Sequence, residues 1–138
     1  MNPNNNIFKI LPFVYIADST YFYNNQNVND PPFDVVMILN NSVKVNEPTK
    51  IKVINMQKIN SDTANMYIKN IIENKQKLLI CDLTLDNPLL IIANFLSVNV
   101  IYSFSNTIYW LYYKINIPEL FTESLLENSF DYFNKTLK

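Results

Sequence analysis

The stretch Leu78 to Leu96, LLICDLTLDNPLLIIANFL, does most to limit what this chain can fold into. Leu78-Leu79-Ile80 is a continuous apolar run and reads as a short buried strand ending at Cys81. Asp82 to Asn87 forms a six-residue loop. Pro88 then opens a helix, since proline is favoured in the first helical position. Leu89 to Leu96 is apolar nearly all round, which marks a helix at the centre of a core. A buried strand that turns directly into a buried helix is the building unit of an α/β domain.

The rest of the chain fits that class. Ile7 to Leu11 and Val14 to Ile16 read as two strands separated by Pro12, near a sheet edge. A helical turn is expected at Thr20 to Asn24, then a polar loop through Pro31-Pro32. Asp34 to Leu39 reads as a strand buried on both faces, and Ile51 to Met56 as another strand. Ser61 or Asp62 is expected to cap a helix with apolar positions Met66, Ile68, Ile71 and Ile72. Helices at Tyr102 to Ile115 and Glu119 to Leu137 complete the pattern, Pro118 starting the second. The expectation is one α/β domain over residues 1–138, with a central, mostly parallel sheet of four to five strands flanked by helices. Val35, Val36, Ile38, Val53, Leu78, Leu79, Ile80 and Ile92 should be buried together.

Composition removes most chemistries. Among 138 residues there is no glycine, no histidine and one cysteine. Without glycine there is no P-loop and no Rossmann turn, so no nucleotide cofactor is expected. Without histidine, Ser-His-Asp and Cys-His catalysis and most zinc sites are gone, and no metal is expected. A lone cysteine forms no disulfide within the chain. A net charge of -1 argues against nucleic acid as a partner. No signal peptide is visible in Met1 to Asn6. The most apolar run, Leu89 to Val100, is interrupted by Asn94 and Asn99 and falls short of the ~20 residues of a membrane span. These features predict a soluble, cytoplasmic protein with no membrane contact. Asparagine makes up about one residue in six. That bias fits an AT-rich genome, of the kind found in some protists and in large DNA viruses such as poxviruses, where the site of action would be the host cytoplasm or the virion.

A thiol at the mouth of a strand–loop–helix unit has a chemical meaning. Backbone amides at a helix N-terminus favour an anion and lower the pKa of a nearby thiol. The bland alternative is an inert core cysteine. The segment resembles the dual-specificity phosphatases of the protein tyrosine phosphatase superfamily, whose signature is a strand, then H-C-x-x-G-x-S-R-S, then a helix. Ile80 stands at the histidine, Cys81 at the nucleophile, Thr84 at the glycine, Asp86 at the first serine, Asn87 at the arginine and Pro88 at the second serine. Ala93, Phe95 and Leu96 keep the character of the helix that follows. The resemblance extends along the chain in order: Ile10 to Ile16 is similar to the family's ILPxLYLG, Phe33 to Asn40 to its ITxVLNV, and Ile117-Pro118-Glu119 with Phe121 and Leu125 to its SPNxxFxxQL.

The departures point to a pseudophosphatase. The family's arginine grips phosphate oxygens with a charged fork, and neutral Asn87 does not replace it. Thr84 puts a Cβ where the family has glycine. Asp82 and Asp86 bring carboxylates into a loop built for a dianion. The family's general acid follows the strand read as Ile51 to Met56, but Gln57-Lys58-Ile59-Asn60 has no carboxylate before Asp62, which reads more simply as a helix cap than as an acid. Across Asp82, Leu83, Thr84, Leu85, Asp86, Asn87 and Pro88 the expectation is a degenerate loop with Cys81 as a vestigial nucleophile. Asn87 caps the helix in this reading, Pro88 starts it, and Asp82 or Asp86 turns onto the loop amides to fill the anion site from within.

If catalysis is lost, a surface does the work. Tyr109, Trp110, Tyr112 and Tyr113 cluster on one predicted helix, and Tyr21-Phe22-Tyr23 forms a second cluster. Aromatics at helical spacing usually face a core, yet four within five residues do not all fit one face. They are the candidates for binding a protein partner or a second copy. Two other readings stand beside this one: weak residual phosphatase chemistry at Cys81, and a structural or virion protein that keeps the phosphatase fold by ancestry.

Overall fold

The computed structural model describes residues 7–18, 33–40, 52–58 and 60–136. Its strands are β1 (Ile7–Leu11), β2 (Val14–Asp18), β3 (Val35–Leu39), β4 (Lys52–Met56) and β5 (Leu78–Asp82). Its helices are α1 (Ser61–Glu73), α2 (Asp86–Asn99), α3 (Phe104–Ile115) and α4 (Glu123–Thr136), with a 3-10 turn at Pro118–Leu120. The strands form one sheet in the order β1-β2-β5-β3-β4. β1 and β2 pair antiparallel across the Pro12-Phe13 turn, and every other pair is parallel. The fold is α/β, with β5 in the middle of the sheet as expected.

The central strands owe their place to their side chains. All five residues of β3 and all five of β5 are buried, the pattern of a parallel sheet covered on both faces. Alternation along each strand divides the core into two clusters. Val35, Met37, Leu78, Ile80 and Ile92 belong to the larger one, which contains buried residues of all four helices. Val36, Ile38, Leu79 and Cys81 lie in the smaller one with Ala17 and Phe33, and Tyr15 meets Phe33 edge-on with ring centroids 5.2 Å apart. The eight residues expected to share one core are thus parted by the sheet, and Val53 is only half-buried.

α2 is the central helix: ten of its residues are buried, from Pro88 to Ser97. Asn94 and Ser97 are buried within it, and the Ser97 hydroxyl donates to the Ala93 carbonyl at 2.7 Å. The cap of α1 lies one residue earlier than expected. Asn60 is extended and its side chain accepts from the Thr63 amide at 3.0 Å, so neither Ser61 nor Asp62 serves as cap. Met66 is 72% exposed, and Ala64, Asn65, Ile68 and Ile71 form the buried stripe instead. The final helix is shorter at its start than predicted, because Pro118 opens only a 3-10 turn. The Thr122 hydroxyl then accepts from the Leu125 amide at 3.1 Å to begin α4. The expected elements at Thr20 to Asn24, the loop to Pro32, the Tyr21-Phe22-Tyr23 cluster, Ile51, Ile59 and Leu137 lie outside the described residues.

A chain without glycine still needs left-handed backbone. Asn40, Lys75, Tyr102 and Asn116 have φ between 55° and 59°. Lys75 sits just past α1, where its amide bonds to the Ile72 carbonyl and the Gln76 amide to the Ile71 carbonyl, each at 3.0 Å. That is the two-bond helix ending in which glycine is usual. No helix among the described residues is long and apolar enough to cross a membrane.

Candidate functional site: the β5–α2 loop

Parallel strands gather their C-terminal ends at one rim of the sheet, where α/β proteins place their ligands. Here that rim holds Asp18 of β2 and Cys81-Asp82 of β5, with Ala17 opposite Cys81 and Asp18 opposite Asp82 in register. Asn40 follows the last residue of β3, and its amide bonds to the Met56 carbonyl at 2.9 Å. The strand does not end at Cys81 but continues through Asp82. That one-residue difference decides which side chain meets the loop.

Successive strand residues point to opposite faces. Cys81 falls on the side of Leu79, Ala17 and Ile38, in the cluster away from α2, and is fully buried there. Its thiol approaches the Asp82 carbonyl at 3.9 Å. Burial first, then the negative charges of Asp82 and Asp18, push the Cys81 thiol up to about 12. The expected lowering by a helix N-terminus does not occur, since the thiol lies on the face of the sheet away from α2.

Asp82 is drawn inward at the start of the loop by three donors, one backbone amide and two side chains. It is 4% exposed. Its Oδ1 accepts from the Leu83 amide at 2.7 Å, and its Oδ2 accepts from the Asn87 side chain at 2.8 Å and the Asn40 side chain at 3.0 Å. Asp82, not Asp86, is therefore the carboxylate that turns inward. Asp86 is exposed in the first turn of α2, where a negative charge is favourable. Leu83 and Thr84 are exposed at the tip, and Leu85 tucks into the larger core.

The expected cap at Asn87 is corrected by this network. Leu85 is the residue before the helix, it makes no side-chain cap, and its carbonyl accepts from the Leu89 amide at 2.9 Å. Asn87 is already the second helical residue and Pro88 the third. Proline costs nothing there, because amides of the first turn have no partner within the helix. Asn87 instead donates sideways, joining the start of α2 to the end of β5. Asp62, the other carboxylate considered as an acid, is exposed in the first turn of α1.

Beside the loop, a cleft of about 110 Å³ lies between the starts of α2 and α4, walled by Asp86, Asn87, Leu90, Thr122, Ser124 and Asn128 among others. Sequence reading missed Asn40 and Asp18 as members of the site. Both stand at the C-terminal ends of strands flanking β5, and that position was the signal available.

The four aromatic candidates are all on the surface. Tyr109 is 67% exposed, Trp110 37%, Tyr112 40% and Tyr113 66%. α3 buries Thr107, Leu111 and Ile115, and Ile108 packs half-buried against the same core. Among the described residues, no group of three His, Cys, Asp or Glu is placed to hold a metal ion.

No protein-family model matches the sequence, and no curated protein matches it. Solved structures do match. The chain is similar to a leucine-rich-repeat and phosphatase-domain protein from Entamoeba histolytica, with a TM-score of 0.66 and 13% identity over 96% of this chain and 94% of that one. It is similar to the human tyrosine phosphatase-like serine/threonine/tyrosine-interacting protein, with a TM-score of 0.69 and 10% identity over 96% and 98%. It is also similar to Tk-PTP in its active form, with a TM-score of 0.69 and 15% identity over 94% and 97%. At such identities the likeness speaks for backbone architecture alone: this chain has the fold of the tyrosine and dual-specificity phosphatases.

Proposed function

We propose that this chain is a pseudophosphatase, a phosphatase fold that turns over no phosphoester and acts by binding protein. The observation that carries the reading is the Asp82 carboxylate held by the Leu83 amide and the Asn40 and Asn87 side chains. A phosphate dianion brought to the same donors would meet that negative charge at close range in a partly buried site, which costs several kcal/mol.

The nucleophile is disabled in the same place. A thiol near 12 is ionised to about one part in 10⁵ at pH 7, and thiolate is the reactive form. Asn87 brings no positive charge to stabilise a transferring phosphoryl group, where one well-placed donor is typically worth ~10²–10³ in rate. With catalysis gone, the exposed aromatics of α3 supply the binding surface. A cytoplasmic location fits the free Cys81.

The test is turnover of p-nitrophenyl phosphate and of phosphotyrosine and phosphothreonine peptides between about pH 5 and 8, the range in which phosphatase thiolates and acids work. The expected result is a rate equal to the blank. Activity that disappears in Cys81→Ser overturns the proposal in favour of a residual phosphatase.

A further inference from the structure

The two outer edges of the sheet are finished differently. β1 carries a register shift between Lys9 and Leu11, and α3 packs against it. Bulges and covering helices are two of the ways in which proteins blunt an edge. β4 shows no register shift from Lys52 to Met56, and among the described residues no strand lies beyond it. The Lys52 amide donates to the Asp34 carbonyl at 3.0 Å, and the Met56 carbonyl accepts from the Asn40 amide at 2.9 Å. Backbone groups alternate sides along a strand. Lys52, Ile54 and Met56 therefore direct theirs at β3, while Val53 and Asn55 each aim an N–H and a C=O out of the sheet.

A cleft adjoins that edge. It holds about 380 Å³ between β4 and α1, walled by Lys52, Ile54, Thr63, Met66, Tyr67 and Asn70 among others. Met66 and Tyr67 are large side chains left exposed on its wall, and a flexible thioether adapts to the shape of what it meets. Ile54 points to the α1 side of the sheet. A residue paired beside Ile54 points the same way, into the cleft. Lys52, two positions before Ile54 and so on the same face, is the one charged residue of the wall. It favours an acidic side chain at that place.

Directional groups decide the kind of occupant. The outward N–H and C=O groups of Val53 and Asn55 are matched by extended backbone, as in strand addition, where main-chain bonds give affinity and side-chain pockets give specificity. A helix has its own backbone groups bonded internally and offers no such match. A second copy paired edge to edge serves the cleft poorly. Of its β4 side chains on the α1 side, Ile54 and Met56 are buried in their own core, which leaves another Lys52 to meet the first. We propose that β4 and the cleft beside α1 bind an extended segment of a partner protein. The segment adds a strand beyond β4, seats an apolar side chain in the cleft and sets an acidic one two positions away, beside Lys52. This rests on the reading above that the protein works by binding protein, and it names the class of partner at a surface separate from the α3 aromatics.

The probe is a phage-displayed library of random peptides selected on the full chain. Selected peptides should share an apolar residue with Asp or Glu two positions away, and each should slow hydrogen exchange at the Val53 and Asn55 amides by at least about tenfold. N-methylation of alternate peptide amides should weaken binding by at least about tenfold in one register and little in the other, the signature of a strand pair. Asn55→Pro removes an N–H that β3 does not use and is expected to weaken binding by about tenfold as well. If that variant does not fold, Met66→Lys, at an exposed position, alters the cleft instead and is expected to weaken binding. A library that yields no binder overturns the inference, as do peptides that leave the Val53 and Asn55 amides unprotected or are indifferent to N-methylation. Protection of those amides that grows with the concentration of the free chain overturns it in favour of a second copy. The turnover assay is a separate readout. No turnover and no bound peptide removes only the strand site, whereas turnover removes the pseudophosphatase reading whatever β4 binds.

Discussion

Asn87 donates its side-chain amide to the Asp82 carboxylate across 2.8 Å, tying the first turn of α2 to the last residue of β5. The side chain that the resemblance sets against a phosphate-gripping arginine is thereby committed to a group of its own chain. Asn40 makes the same commitment from the end of β3. Three elements that frame a substrate pocket in an enzyme of this shape are here held together by one internal carboxylate.

Restoring arginine alone is therefore not expected to restore phosphate binding. In Asn87→Arg the new guanidinium pairs with Asp82, the nearest carboxylate, in preference to a dianion from solution. The combination Asp82→Ala, Thr84→Gly, Asp86→Ser, Asn87→Arg and Pro88→Ser removes that competitor and opens the loop backbone. Vanadate titration by calorimetry should show the combined variant binding at least about tenfold more tightly than the single one, a difference of about 1.4 kcal/mol. Equal binding by the two means that Asp82 does not block the site.

The network also has a measurable mechanical role. Asp82→Ala leaves two side-chain amides and a backbone amide short of an acceptor in a partly buried place, which should cost about 3 kcal/mol. Asn87→Ala should cost about 1 kcal/mol. Because the two share one bond, their effects should fall short of adding by roughly 1 kcal/mol in a double-mutant cycle read by urea denaturation. Full additivity shows that the bond contributes nothing to stability.

Cys81 should behave as an inert core thiol. With its value pushed up to about 12, native Cys81 should react with iodoacetamide at pH 7.5 about 10³-fold more slowly than an ordinary thiol. The linkage has a definite sign. The folded value lies above the unfolded value of 9.0, so the stability contribution is fully present below about pH 9. Between about pH 9 and 12 the unfolded chain gives up this proton and the folded chain keeps it. Over that window wild type should lose up to about 1.4 kcal/mol per pH unit more than Cys81→Ala. Parallel stability curves for the two proteins contradict the assignment.

Glycine should help where the chain does without it. Lys75 and Tyr102 are left-handed with φ of 55° and 59°, and Tyr102 is 74% exposed, so its ring has little packing to lose. A side chain with a Cβ costs about 1 kcal/mol in that conformation. Lys75→Gly and Tyr102→Gly should each raise stability by somewhat less than that, since glycine also frees the unfolded chain. Thermal melts decide it, and a lowered midpoint for both contradicts this account.

What was legible in the sequence follows from what hydrophobic pattern encodes. The buried runs at Val35 to Leu39 and Leu78 to Ile80 and the all-apolar helix after Pro88 specify a covered parallel sheet, and that is what forms. The loop's inward carboxylate was anticipated as a choice between two. What selected Asp82 was strand alternation, since β5 runs one residue further than its apolar run implies. The cap at Asn87 failed because the helix begins at Asp86, two residues before Pro88, which leaves the Asn87 side chain free to donate back to Asp82. Met66 has helical spacing and an apolar side chain, yet it faces water because the stripe on α1 is set by Ala64 and Ile68. The aromatics of α3 were open between core and surface, and the narrow stripe at Thr107, Leu111 and Ile115 decided for surface.

The strand order imposes a schedule on synthesis. β1–β2 and β3–β4 each complete their pairing early, but neither ribbon touches the other through backbone bonds, because β5 lies between them. Both keep an unpaired inner edge until Leu78–Asp82 has left the ribosome, more than half of the chain into translation. Exposed strand edges of this kind recruit other nascent chains. The strand that carries Cys81 and Asp82 is thus the one that closes the sheet, a duty independent of any chemistry at the loop.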